Sequence, residues 1–140
     1  MFPQSSSRQL SIIWIDLYGD RKGYNNEPLG EFALRLFAMI KAKKKRLIIS
    51  DILIKELEKY YSIEQINGMI KPFEEIIENI FSTKEQIKEA RRISEQRSLP
   101  PGDALHAILA GENKFILISR DKDFRMLADI SKCYKPEEVI

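Results

Sequence analysis

Apolar residues along this chain occur in two alternating forms: stripes at three- and four-residue spacing, and short unbroken runs. Stripes predict amphipathic helices, and short runs predict strands covered on both faces. Ser11 to Ile15 (SIIWI) is the first run, and Leu47 to Ile49 and Phe115 to Ile118 follow it. Phe32, Leu36 and Ile40 lie four residues apart, with Ala33, Phe37 and Met39 widening the stripe, so a helix is expected from Leu29 to Lys45. Ser50 and Asp51 are cap residues for a helix reaching Lys59, which buries Ile52, Leu53 and Leu57 and turns Glu56 elsewhere. Ile63, Ile66, Ile70 and Phe73 keep the helical period, yet Pro72 should kink or divide that run. Ile76, Ile77 and Ile80 continue an apolar face that fits either element type. Ser82 or Thr83 caps a further helix with Ile87, Ala90 and Ile93 facing inward.

The stretch from Leu99 to Phe124 reads LPPGDALHAILAGENKFILISRDKDF. Its two prolines and Gly102 stop what precedes, Asp103 opens a helix that Gly111 is expected to end, and Phe115 to Ile118 form a buried strand. A short helix with Phe124, Leu127 and Ala128 follows, then a final segment from Cys133 to Ile140 interrupted by Pro136. Helices and short runs alternate, and no Asn-Gly or Asp-Gly turn joins two of the runs. The pattern predicts an α/β fold, a three-layer α/β/α sandwich around a mostly parallel sheet. A length of 140 residues suits one domain over 11–140, with 1–10 read as a flexible N-terminal segment.

With 44% hydrophobic and 31% charged residues the chain is not of the disordered class. A net charge of +2 is too small to argue for nucleic acid by itself, but the charges are uneven. Lys41 to Arg46 reads KAKKKR, and the plainer account of that run is a solvated helix end opposing the helix dipole. The lone Cys133 closes no internal disulfide and fits a reducing compartment. No apolar window is long enough to span a bilayer, so a cytoplasmic protein without a membrane anchor is expected.

Parallel sheets place their chemistry beyond the carboxyl ends of the strands. Asp16 follows the first run, Glu56 lies in the helix after the second, Asp103 starts the helix leading into the third, and Asp121 and Asp123 follow that third run. Carboxylates gathered at one rim repel unless a cation or proton intervenes. All-oxygen donors suit Mg²⁺ or Mn²⁺, and a single histidine with a single cysteine forms no zinc set. Each of these acids, taken alone, also fits a cap or a solvated surface position. His106 lies three residues after Asp103 and reads as a partly buried histidine satisfied by a backbone or carboxylate partner, outside the catalytic set.

Three segments carry a family resemblance: ISDILIKEL from Ile49 to Leu57, GDALHAILA from Gly102 to Ala110, and ISRDKDF from Ile118 to Phe124. From about Trp14 onward the chain resembles a PIN domain, most of all the small prokaryotic VapC-type toxins and their archaeal relatives. Glu56, Asp103 and Asp121 fall where that family keeps metal-site acids. The resemblance implies a PIN fold and a Mg²⁺- or Mn²⁺-dependent endoribonuclease that hydrolyses phosphodiesters, the toxin of a toxin–antitoxin pair held inactive by an antitoxin protein. It also implies a homodimer, for which Tyr60, Tyr61, Ile63 and Met69 are candidate surface. Asp16, Glu56, Asp103 and Asp121 would be catalytic, with Asp123 an added metal ligand. Ser119, Arg120, Lys43, Lys44 and Lys45 would contact the RNA substrate.

The first strand departs from the family pattern of an aspartate, a hydroxyl residue and an asparagine. If Trp14 to Asp16 belong to the later part of that motif, the aspartate position is Leu10, the asparagine position is Ile12, and Ser11 alone matches. If Asp16 is itself the strand aspartate, Leu17 and Tyr18 replace the hydroxyl and amide. Either departure leaves a second expectation open, a catalytically impaired PIN-like module acting through protein or RNA binding.

Overall fold

The computed structural model describes the backbone of residues 8–11 and 29–139, and the side chains from residue 35 onward. Five strands form one parallel sheet in the order β3-β2-β1-β4-β5: β1 (Arg8–Ser11), β2 (Arg46–Ser50), β3 (Ile77–Ile80), β4 (Ile116–Ile118) and β5 (Cys133–Tyr134). The central strand therefore takes in Arg8 to Leu10, which were expected in a flexible segment, together with Ser11 of the SIIWI run; Ile12 to Ile15 lie outside the described residues. A central parallel strand is held by backbone ladders on both sides, so it tolerates the polar start Arg8-Gln9 that an apolar pattern passes over. Leu10 pairs with Ile48 and Leu117, and Ser11 pairs with Ile118. Residues 12–28, including Asp16, lie outside the described residues.

Helices cover both faces. Leu29–Ala42 form α1, which stops short of the expected Lys45 because Lys44 takes a left-handed conformation (φ 55°) and the Lys45 N–H returns to the Ile40 carbonyl at 3.0 Å. Asp51–Leu57 form α2, capped by Ser50, whose Oγ accepts from the Leu53 N–H at 3.1 Å. Ile63–Ile70 form α3, opened by a Ser62–Gln65 capping box; Pro72 then diverts the chain into a 3-10 turn, Lys71–Ile76, as its sequence position suggested. Thr83 and Gln86 make the same box for α4, Lys84–Arg97. Pro101–Asn113 form α5, and Pro136–Val139 a short α6.

Alternate residues of β2 and β4 face different cores. Leu47, Ile49, Ile116 and Ile118 pack with Leu36, Phe37 and Ile40 of α1 and Leu53 and Leu57 of α2. Ile48 and Leu117 pack on the other face with Ala90 and Ile93 of α4 and Ala104, Ala107 and Ile108 of α5. Helix α5 is buried from Asp103 to Ala110, on all sides rather than along one apolar stripe. Gly111 does not end this helix, which runs on to Asn113 with Lys114 in the left-handed cap (φ 58°). A Cβ on Gly111 would stand 2.6 Å from the Ile130 carbonyl oxygen, so the glycine lets the chain after β4 pass against α5. Among the described residues no helix is long and apolar enough to cross a membrane.

Candidate metal centre

Beyond the end of β4 the sequence Ser-Arg-Asp-Lys-Asp builds its own turn. The buried Ser119 donates its N–H to the Tyr134 carbonyl at 2.9 Å, which ties the strand end to β5. Its Oγ accepts from the Asp121 N–H at 3.0 Å, and Asp121 Oδ1 accepts from the Asp123 N–H at 2.9 Å. These local bonds between side chain and backbone start a 3-10 turn, Lys122–Leu127, and hold both aspartates over the strand end.

Asp103 arrives from the first turn of α5, where the helix dipole favours a negative charge. One carboxylate oxygen from each of Asp103, Asp121 and Asp123 lies within 4.8 Å of the others. Oxygens bound to one Mg²⁺ at about 2.1 Å stand roughly 3–4 Å apart, so the group is close to ligating spacing. Asp103 retains only 9% of its surface, and its buried Oδ2 has no hydrogen-bond partner among the described residues. A buried carboxylate oxygen without a partner is costly unless a cation or proton meets it. Burial first, and then the Asp121 charge, push the Asp103 pKa up to about 6; Glu56 and Asp123 push the same way, and His106 pulls against them. The residues present therefore fit a hard divalent cation: three convergent carboxylates, one with an oxygen left bare.

Glu56 is near this group and not within it. Its Oε1 meets Nε2 of His106 at 2.7 Å, and a Cβ on Gly102 would stand 2.7 Å from its Oε2. The expected meeting of Glu56, Asp103 and Asp121 is thus met by the two aspartates with Asp123, while Glu56 stands beside them. His106 has a carboxylate partner, one of the two kinds expected for it, and is fully rather than partly buried. Gly102 was read from sequence only as part of a stop; the signal for this contact lay in a glycine directly before the helix aspartate.

Lys43, Lys44 and Lys45 precede β2, at the amino end of a parallel strand, whereas the acids follow strand carboxyl ends. Across the five residues of β2 that is a separation on the order of 15 Å, so the structure does not bring these lysines to the acidic rim. Arg120 and Ser119 are at the rim, and Arg120 is engaged by Glu137 through both Nη1 (3.0 Å) and Nη2 (2.9 Å). Beside Asp121 opens a cleft of about 610 Å³ whose walls include Lys122, Arg125 and Lys132. Cys133 also lines it, and burial pushes its thiol up to about 12, so it supplies no thiolate near neutral pH. Of the dimer candidates, Tyr60 and Ile63 are exposed, Tyr61 is half-buried, and Met69 is inside the core of the protomer.

A family model described as PIN domain matches residues 13–130. The search of curated proteins gives no match.

Proposed function

The chain belongs to the PIN domain family, whose members are generally metal-dependent nucleases, and from that premise we propose that it is a divalent-metal-dependent endoribonuclease. The observation that carries the reading is Asp103, whose buried Oδ2 has no partner among the described residues and whose carboxylate comes within 4.8 Å of those of Asp121 and Asp123. Asp103, Asp121 and Asp123 would hold Mg²⁺ or Mn²⁺. Such an ion supplies a water-derived nucleophile near neutral pH and offsets charge on the leaving oxygen. The protein contributes the fixed arrangement. Ser119 sets the turn, Asp121 holds Asp123 through its N–H, and the burial of Asp103 itself reduces the screening of its charge by water.

The RNA strand would leave the carboxylates along the basic cleft, where Lys122 and Arg125 have no ion-pair partner among the described residues. Lys132 stands 5.0 Å from the centre of the Tyr134 ring and adds a third cation to that wall. Cations spaced along a groove contact phosphates without reading sequence. As the toxin of a toxin–antitoxin pair, the protein would act in the cytoplasm, bind an antitoxin protein, and pair as a homodimer through the exposed Tyr60 and Ile63. The direct test is incubation with single-stranded RNA. Cleavage with Mg²⁺ or Mn²⁺, none with excess chelator, and none by Asp103→Asn is the expected result; cleavage that survives chelation contradicts the reading.

One observation favours a second reading. Leu10 pairs with Ile48 and Leu117 within the central strand, and it is the residue that one alignment sets at the family's first aspartate position. A PIN-like module with weakened catalysis would then bind RNA or a protein partner instead. Binding of RNA without cleavage across a panel of sequences, with Mn²⁺ present, would support it.

A further inference from the structure

Glu56 carries a negative charge next to a helix start that already holds Asp103, and nothing in α2 alone fixes where its carboxylate rests. Two neighbours on α5 do so. His106 is fully buried, one turn after Asp103, and its Nε2 reaches Glu56 Oε1 at 2.7 Å. An ionised carboxylate only accepts, so Nε2 carries the hydrogen in this contact. The other ring nitrogen, Nδ1, is buried without a partner among the described residues, and within them Glu56 is the imidazole's polar anchor. On the opposite side, Glu56 Oε2 occupies the space that a side chain at position 102 would take, since a Cβ there would lie 2.7 Å away.

We infer that His106 and Gly102 are positioning residues: together they hold the Glu56 carboxylate at the edge of the three-aspartate group, one oxygen hydrogen-bonded and the other against a helix backbone that carries no Cβ. Held there, Glu56 keeps its charge close enough to act on Asp103 while its Oε1 is taken by the imidazole. The held carboxylate strengthens cation binding at the aspartates without joining their tight cluster, as partners outside a metal's own ligands commonly do. The effect on cation binding rests on the metal-site reading above; the clamp itself does not.

Two measurements test it on the whole chain. In the metal-free protein, long-range ¹H–¹⁵N spectra should show His106 as the Nε2–H tautomer, with that proton's shift moved by Gly102→Ala. A His106 ring protonated at Nδ1 alone, or a spectrum that Gly102→Ala leaves unchanged, overturns the clamp whether or not any ion binds. Calorimetry with Mn²⁺ alone then reads its consequence. Gly102→Ala and His106→Ala should each weaken binding about 10-fold or more, the usual size for an outer-shell partner. His106→Gln, whose amide N–H can take the place of Nε2–H, should recover most of the loss. In a Glu56→Ala background neither substitution should weaken binding further. Unaltered Mn²⁺ affinity in Gly102→Ala, or losses that add to that of Glu56→Ala, overturns the assignment. Should His106→Ala fail to fold, Gly102→Ala alone carries the test, because alanine suits a first helical turn. Absence of Mn²⁺ binding by the wild-type protein counts against the metal-site reading and leaves the clamp to the spectra.

Discussion

The two edges of the sheet both concentrate charge and use it in opposite ways. At the amino edge, Lys41 Nζ donates to the Pro72 carbonyl at 3.2 Å, and the Arg46 guanidinium donates to the carbonyls of Glu75 (3.2 Å) and Ile77 (3.0 Å). Those cations close the turn ahead of β3 and hold it to β2. At the carboxyl edge, three aspartates crowd together and the most buried of them has an oxygen with no partner among the described residues. Charge that is hydrogen-bonded to backbone serves the fold. Charge left buried and unmatched burdens the fold, and a bound cation relieves it.

The comparison breaks most sharply at Asp103. Asp103→Asn should lower cleavage by more than about 100-fold, beyond the range for residues outside the ligand set. The same substitution should stabilise the metal-free protein at pH 7. A carboxyl raised from 3.8 to about 6 is disfavoured in its charged form by up to about 3 kcal/mol in the folded state. Chemical denaturation of both proteins measures this, and an Asn variant less stable than wild type would contradict it.

The pH dependence follows with the same sign. Between pH 4 and 6 the folded protein binds the Asp103 proton more tightly than the unfolded chain, so this residue's contribution to stability is full below about pH 4 and is lost as pH rises through about 6. Divalent-ion binding competes with that proton and should strengthen over the same interval. Denaturant midpoints and Mn²⁺ titrations at pH 5 and 7 check both directions, and Asp103→Asn should flatten the first.

At the amino edge the expectation reverses. Arg46→Met should cost about 1–2 kcal/mol of stability through its two carbonyl contacts and leave Mn²⁺ affinity unchanged. Between these extremes lies the basic cleft. Lys122→Gln with Arg125→Gln should weaken RNA binding and reduce its salt dependence by about two phosphate contacts, with stability unchanged within about 0.5 kcal/mol. Replacing Lys43, Lys44 and Lys45 by Gln should have the smallest effect of all on both RNA binding at the rim and cleavage; an equal loss from the two sets would erase the distinction between the edges.

The same two edges divide what the sequence made legible. The buried runs at Leu47 to Ile49 and Phe115 to Ile118 declared strands because each face of each strand has its own apolar core. The capping patterns at Ser50 and Thr83 and the break at Pro72 were equally plain, being local backbone chemistry. The start of strand β1 at Arg8 was missed because its ladder comes from neighbours distant in sequence, and Gly111 misread because its reason is a carbonyl nineteen positions away on Ile130. At the site, Asp103, Asp121 and Asp123 could be placed from strand ends and helix starts. The diversion of Glu56 toward His106 could not, since it depends on the side-by-side packing of α2 and α5 and on a missing Cβ at Gly102.

The central claim is that the three aspartates form one cation site, and calorimetric titration of Mn²⁺ into the metal-free protein at pH 7 tests it most directly. Saturable binding that Mg²⁺ displaces, and that Asp103→Asn and Asp121→Asn each abolish, is the predicted result. Binding that either variant retains at wild-type strength would contradict it.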